Sequence, residues 1–336
     1  MESQLQLLDM PEDPMMHILE RCDFVSLQCL RKTCHTFRNF IDRTKPKQSM
    51  KVLKVGSFSA RIHLTTYENE DDELYPVGQK IELVYDRVSS DHTKIFWHRA
   101  DGGREKTINT GDNFGVFSND LTTVLDFKQP KWDMIHLKGG EYLLEEVQDV
   151  FLSQETLLKV HTLIIESEKC KKPIIEILSS VCPDTLTCLE LDSYRRWNMS
   201  KIKKLEQWKK VKEFYMNRIA VRPDIDNYSH FELAKVGFTR VKVKDLLKVQ
   251  EIFLNTPSIT KHLEIDANTC PHPDYLERIF GESFLIDDDR DQYKCWFFMR
   301  EDNRVLQMEF WDYLILFRFK IITMEAVPED AFISSS

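Results

Sequence analysis

Apolar residues recur three and four positions apart through roughly the first forty residues, a spacing that predicts three short helices. Asp13 followed by Pro14 fits an N-cap with proline at the first helical position, leading into Met15, Met16, Ile18 and Leu19. Asp23 reads as the cap of a second helix, in which Phe24, Leu27 and Leu30 recur every three residues. Thr36 reads as the start of a third, with Phe37, Phe40 and Ile41 on one side. Lys45 to Ser49 then reads as a linker. Segments below about 40 residues rarely sustain a core of their own. These helices must therefore bury apolar surface elsewhere, on the rest of the chain or on a partner.

From about residue 50 to 130 the period changes to two, as in Arg61–Leu64, Lys80–Tyr85 and Lys94–Trp97, and the stretch reads as β-rich. Asp101-Gly102-Gly103 supplies a turn before Lys106–Ile108, and the acidic run Glu68 to Glu73 reads as a solvated loop. Beyond residue 130, short strand-like segments recur every 22 to 28 residues: Asp133–Lys138, His161–Glu166, Thr187–Asp192, Lys212–Asn217, Thr239–Lys244 and Lys261–Asp266. Helical faces lie between them: Leu143, Val147 and Phe151; Ile174, Leu178 and Val181 behind Pro173; Ile202 and Leu205; Leu246, Val249 and Phe253; Leu276 and Ile279.

A strand and a helix every 20–29 residues is the period of leucine-rich-repeat-like arrays, here degenerate because only Asn217 remains of an asparagine ladder. Doubly wound packing is the runner-up, but no glycine-rich phosphate turn follows any strand. Tyr293 to Lys320 reads as two or three strands closing the sheet. The expected fold class is α+β / α/β: a three-helix segment over 5–45, a β-rich connecting region over 50–130, and a repeat-like α/β domain over 131–325.

Composition narrows the function. At 336 residues, 42% hydrophobic and 30% charged, the chain is an ordinary globular sequence, and its net charge of -9 argues against a dedicated polyanion binder. No apolar stretch approaches the roughly 20 residues of a membrane span, and the start lacks a basic-then-apolar secretory pattern. Eight cysteines without a Cys-x-x-Cys pair do not form a disulfide framework, so a reducing cytoplasmic or nuclear compartment is expected. Asn198-Met199-Ser200 fits the glycosylation pattern, but without a secretory route it has no use.

The stretch Met10 to Asp42 resembles an F-box. Met10-Pro11 stands where that motif has Leu-Pro, followed by a first helix. Asp23-Phe24-Val25-Ser26-Leu27 then matches the second helix, and Leu30-Arg31-Lys32-Thr33-Cys34 with Phe37 matches the close. Met10 and the intruding Pro14 are the departures. Leu205–Phe214, His230-Phe231, Asp245–Asn255 and Asn303–Met308 resemble the FTH domain that follows the F-box in nematode F-box A proteins. The resemblance implies a substrate receptor of a Skp–cullin–F-box ubiquitin ligase, performing no chemistry itself and needing no cofactor. It implies a Skp adaptor interface at Met10, Pro11, Met15, Ile18, Leu19, Leu27, Leu30, Cys34 and Phe37. Packing within a three-helix bundle is the plain alternative for each of them.

Other chemistry is thin. Arg195 to Lys212 holds eight basic residues against one acid, Glu206. With Lys203, Lys204, Lys209 and Lys210 it reads either as a patch for an acidic or phosphorylated target segment, or as a solvated face with Ile202, Leu205 and Trp208 turned inward. The second reading is the simpler, and nucleic acid fits neither well. Histidines and cysteines show no metal-ligand spacing, and no Gly-x-Ser-x-Gly elbow is present. Asp287–Asp291 lacks the glycine and final glutamate of a calcium loop and reads as an exposed turn. A non-ligase scaffold or translational regulator with the same fold is the competing function.

Overall fold

The computed structural model describes residues 10–22, 24–48, 50–56, 60–65, 80–99, 102–127, 131–167, 172–193, 199–217, 224–255, 261–288 and 291–334. The Glu68–Glu73 run, Asp23, Asp101, Trp197 and Asn198 lie outside them. The chain divides into two units, Met1–Thr185 and Leu186–Ser336.

The first unit opens with α1 (Glu12–Leu19), α2 (Phe24–Thr33) and α3 (His35–Thr44). Five strands follow, β1 (Val52–Gly56), β2 (Ala60–Thr65), β3 (Lys80–Arg87), β4 (Thr93–Arg99) and β5 (Gly102–Ile108). After them come α4 (Asn113–Asp126), β6 (Trp132–Gly139), α5 (Glu141–Leu152), β7 (Val160–Ser167) and α6 (Lys172–Ser179). β1 to β5 form an antiparallel meander, and β1 also pairs parallel with β6, which pairs parallel with β7. Alternation puts Leu53, Val55, Ile62, Leu64, Tyr85, Ile135 and Leu137 into the core.

α4 falls inside the stretch read as β-rich. Its Asp112 cap accepts a hydrogen bond from the Gly115 N–H at 2.8 Å, and Phe117, Leu121 and Val124 bury one face. The Phe117 ring meets Tyr85 edge-on, centroids 5.8 Å apart. The Tyr85 hydroxyl donates to Asp120 at 2.7 Å. Burial raises the Asp120 carboxyl above its ordinary range, outweighing that hydrogen bond and the pull of Lys32 and Arg31. β5 is exposed along most of its length and carries Arg104, Glu105 and Lys106, charges that suit an outer strand. It begins at Gly102, whose φ of 131° only glycine adopts readily.

The second unit runs β8 (Cys188–Asp192), a 3-10 turn at Ile202–Lys204, α7 (Glu206–Lys210), β9 (Glu213–Asn217) and a second 3-10 turn at Ile225–Tyr228. It continues through β10 (Leu233–Phe238), α8 (Val243–Asn255), β11 (His262–Ala267) and α9 (Pro273–Phe280). β12 (Phe284–Asp288), β13 (Asp291–Met299), β14 (Val305–Trp311), β15 (Leu316–Ile322) and β16 (Ile333–Ser334) complete it. β8, β9, β10 and β11 are parallel in that order, and β15, β14, β13 and β12 extend the sheet antiparallel. The closing strands expected over Tyr293–Lys320 are present. The fold class is α+β / α/β, as its pattern indicates.

Several local expectations are corrected. Thr239–Lys244 is a turn and the start of α8, and the strand is Leu233–Phe238 just before it. Val241 and Val243 between basic residues mimic strand alternation, whereas the true strand's inward positions include Ala234, too small to stand out. Asp245 settles the matter locally: its carboxylate accepts the Lys242 N–H at 2.9 Å, closing the first turn of α8. Val181 lies past the end of α6, in an isolated bridge with Leu158, yet is fully buried. Ile279 is 41% exposed rather than packed beside Leu276. Of the run 287–291, Asp287 and Asp288 end β12 and Asp291 opens β13, with Asp288 paired to Asp291; Asp289 and Arg290 lie outside the described residues.

Candidate partner-docking site on the N-terminal helices

α1 starts two residues earlier than expected, with Pro11 at its N-cap and Pro14 at the third helical position. Proline is tolerated there because the first-turn N–H groups have no partner within the helix. Glu12 and Asp13 in the same turn oppose the positive end of the helix dipole. The residue that caps α3 is Cys34, not Thr36: its Sγ accepts the Phe37 N–H at 3.5 Å. Lys45 ends that helix in the left-handed region, φ 46°.

Polar contacts hold the three helices together. Arg31 of α2 reaches Asp42 of α3 at 2.7 Å, and Arg43 of α3 reaches Glu12 of α1 at 3.1 Å. The bundle also rests on α4 and its end within the same unit. Phe24 meets Phe127 edge-on at 6.0 Å, and Lys45 lies 3.9 Å from Asp126. Part of the surplus apolar surface of the helices is thus buried against their own chain.

The nine positions singled out for adaptor contact therefore divide. Met15, Leu19, Leu27 and Phe37 are buried in this chain; Leu30 and Cys34 are half-buried. Met10 at 41% and Ile18 at 37% are exposed, as is Pro11. A soluble surface tolerates single exposed apolar residues. Met10 on the lead-in to α1 and Ile18 near its end leave large apolar side chains that a partner can cover, and Leu30 of α2 is half-exposed.

Two family models match the chain: the F-box domain over residues 7–49 and the FTH domain over residues 141–283. An F-box followed by an FTH domain is the pairing that matches the nematode F-box A family. It is 22% identical over 309 residues to F-box A protein 224 of Caenorhabditis elegans, covering 89% of this chain and 75% of that protein. No solved structure matches. F-box and FTH domains are in general non-catalytic adaptor domains, and F-box domains in general bind Skp adaptors within Skp–cullin–F-box complexes. No helix among the described residues is long and apolar enough to cross a membrane.

The basic segment lies in the second unit. Ile202 and Trp208 are buried and Leu205 is half-buried. Trp208 anchors an aromatic cluster, 4.7 Å from the Phe214 ring and 5.0 Å from Phe231. It is therefore unavailable for stacking on a ligand. Lys203 bonds Asp224 at 3.5 Å and lies over the Tyr228 ring, while Lys209 bonds Glu206 at 2.7 Å. Lys204 and Lys210 are exposed. Lys203 and Lys209 thus spend their charge inside the chain.

Proposed function

We propose that this chain is the substrate-recognition adaptor of a Skp–cullin–F-box E3 ubiquitin ligase. In this reading the helices within 5–45 dock a Skp adaptor, the segment 50–130 connects, and the α/β region of 131–325 binds a target protein. The observation that carries the reading is the F-box match over 7–49, on helices that leave Met10, Pro11 and Ile18 exposed. Its chemistry is positional: holding a target lysine near a loaded conjugating enzyme turns a bimolecular encounter into an effectively intramolecular one. Fully burying an apolar side chain contributes about 1.5–3 kcal/mol, against an association cost on the order of 4–15 kcal/mol. Two exposed side chains alone do not suffice, so docking draws on Leu30, Cys34 and polar contacts as well. Such an assembly places the protein in the cytoplasm or nucleus.

The competing scaffold reading shares the adaptor contact and omits the cullin. Affinity purification of the tagged full chain from cells separates the two. The ligase reading expects a cullin alongside the Skp adaptor, both lost together in Ile18→Asp. Adaptor without cullin, under conditions where a known F-box protein retains both, transfers the case to the scaffold. The basic patch at Lys203, Lys204, Lys209 and Lys210 remains a secondary target surface in this proposal, weakened by its internal ion pairs.

A further inference from the structure

Unit two carries a groove of about 610 Å³ between α8, α9 and the end of β13. Leu247 and Leu254, two helical turns apart on α8, form one wall, and Ile279 of α9 the other. Phe298 and Met299 lie at the floor. Leu247 and Ile279 are each 41% exposed, which makes this the place where two helices of the repeat-like region turn apolar side chains to solvent together. Polar and apolar surface are mixed along it, as in a peptide groove rather than a closed small-molecule cavity.

Charge at the rim identifies the occupant. Arg300 lines the groove, but its guanidinium is buried, bonded to the carbonyl of Phe253 and, at 3.1 Å, to Asp302, a carboxylate it shares with Arg304. Glu251 and Glu301 are exposed on the rim and have no ion-pair partner among the described residues. The groove therefore presents an apolar channel edged by two exposed carboxylates; Lys248, one turn before Glu251 on α8, acts on it electrostatically but is ion-paired to Asp226. Apolar side chains at i, i+3 or i+4, and i+7 of a helix would fill such a channel, with Lys or Arg on the flanks meeting the rim.

We infer that the α8–α9 groove binds a basic amphipathic helix of a target protein. The inference deepens the substrate-receptor reading and rests on it for the word target, but the groove's binding chemistry is measurable without any adaptor. The probe is a short fluorescein-labelled peptide with leucines at i, i+4 and i+7 and lysines beside them, titrated with the purified full chain by anisotropy. A twin peptide carries glutamates in place of the lysines. Saturable binding of the lysine peptide is expected, with the glutamate twin weaker by about tenfold or more. Leu254→Asp should weaken binding by at least about tenfold. The exposed double variant Glu251→Lys, Glu301→Lys, which leaves the core untouched, should reverse the preference between the peptides. Equal binding of both peptides by the parent chain, or a preference unchanged in the double variant, overturns the proposal. A concentration-dependent dimer abolished by Leu247→Asp assigns the groove to a second copy of the chain and overturns it too. Skp adaptor capture should be the same in every groove variant, so loss of adaptor capture in the parent chain counts against the ligase reading and leaves the groove result standing.

Discussion

Cys34 shows how one residue can serve two readings of the same motif. It was singled out as an interface residue, and the fold uses its thiol as the N-cap of α3, accepting from Phe37. A thiol is a weak acceptor, so its loss should fall near the lower end of cap substitutions, about 0.5–1 kcal/mol. Cys34→Ser, a better cap, should hold or raise the melting temperature while Cys34→Ala lowers it slightly. Equal melting temperatures for the two would remove the cap role. Asp302 makes a second residue-scale case. Hydrogen bonds from Arg300 and then Arg304 hold its carboxyl well below the ordinary range. A carboxylate depressed on folding adds stability above its unfolded pKa, near 3.8, and loses it as pH falls toward the folded value. Asp302 is 38% exposed, so solvent screening keeps the effect small. Asp302→Asn should lower the melting temperature at neutral pH and flatten its decline below about pH 4. Parallel melting curves for variant and parent across that range would contradict this.

At the scale of elements, α1 divides into an inner and an outer face, and the faces predict opposite phenotypes. Leu19 is 0% exposed, and truncating a fully buried leucine costs about 2–5 kcal/mol. Leu19→Ala should therefore lower stability strongly. Ile18, one position earlier, points outward. Ile18→Asp should leave thermal stability nearly unchanged, within about 0.5 kcal/mol, and abolish adaptor capture. Denaturant titration paired with capture checks both, and a destabilised Ile18→Asp would place that side chain in the core instead. The helix boundaries explain what was legible here. Spacing of Phe24, Leu27, Phe37 and Ile41 announced α2 and α3, but the starts of α1 and α3 depended on caps outside the usual set: no side-chain cap at Pro11 and a thiol at Cys34. α4 was readable from Phe117, Leu121 and Val124 behind Asp112, and the alternation on either side of it masked it.

At the scale of the whole molecule, strands differed in how openly the pattern declared them. Residues Val160–Ser167 and His262–Ala267 alternate large buried and polar side chains, so their strands could be located to within a residue or two. β10 could not, because Ala234 and Gly237 carry little hydrophobic signal and the basic segment behind them imitates a strand. Surface features were least legible. Whether Met10, Ile18, Leu247 and Ile279 face solvent or core depends on packing between elements distant in sequence, which periodicity within one element does not encode. The same holds for Lys203, whose partner Asp224 lies 21 residues further on, whereas Lys209 and Glu206, three positions apart on α7, were within reach of local spacing.

The central claim is that the N-terminal helices dock a Skp adaptor through the outward face of α1 and its lead-in. The most direct test is isothermal calorimetry of purified full chain against purified Skp adaptor, run on the parent, Ile18→Asp and Leu254→Asp. The account predicts one-to-one binding by the parent and by Leu254→Asp, with none detectable for folded Ile18→Asp. A folded parent chain that shows no binding, or an Ile18→Asp variant that binds as the parent does, would contradict it.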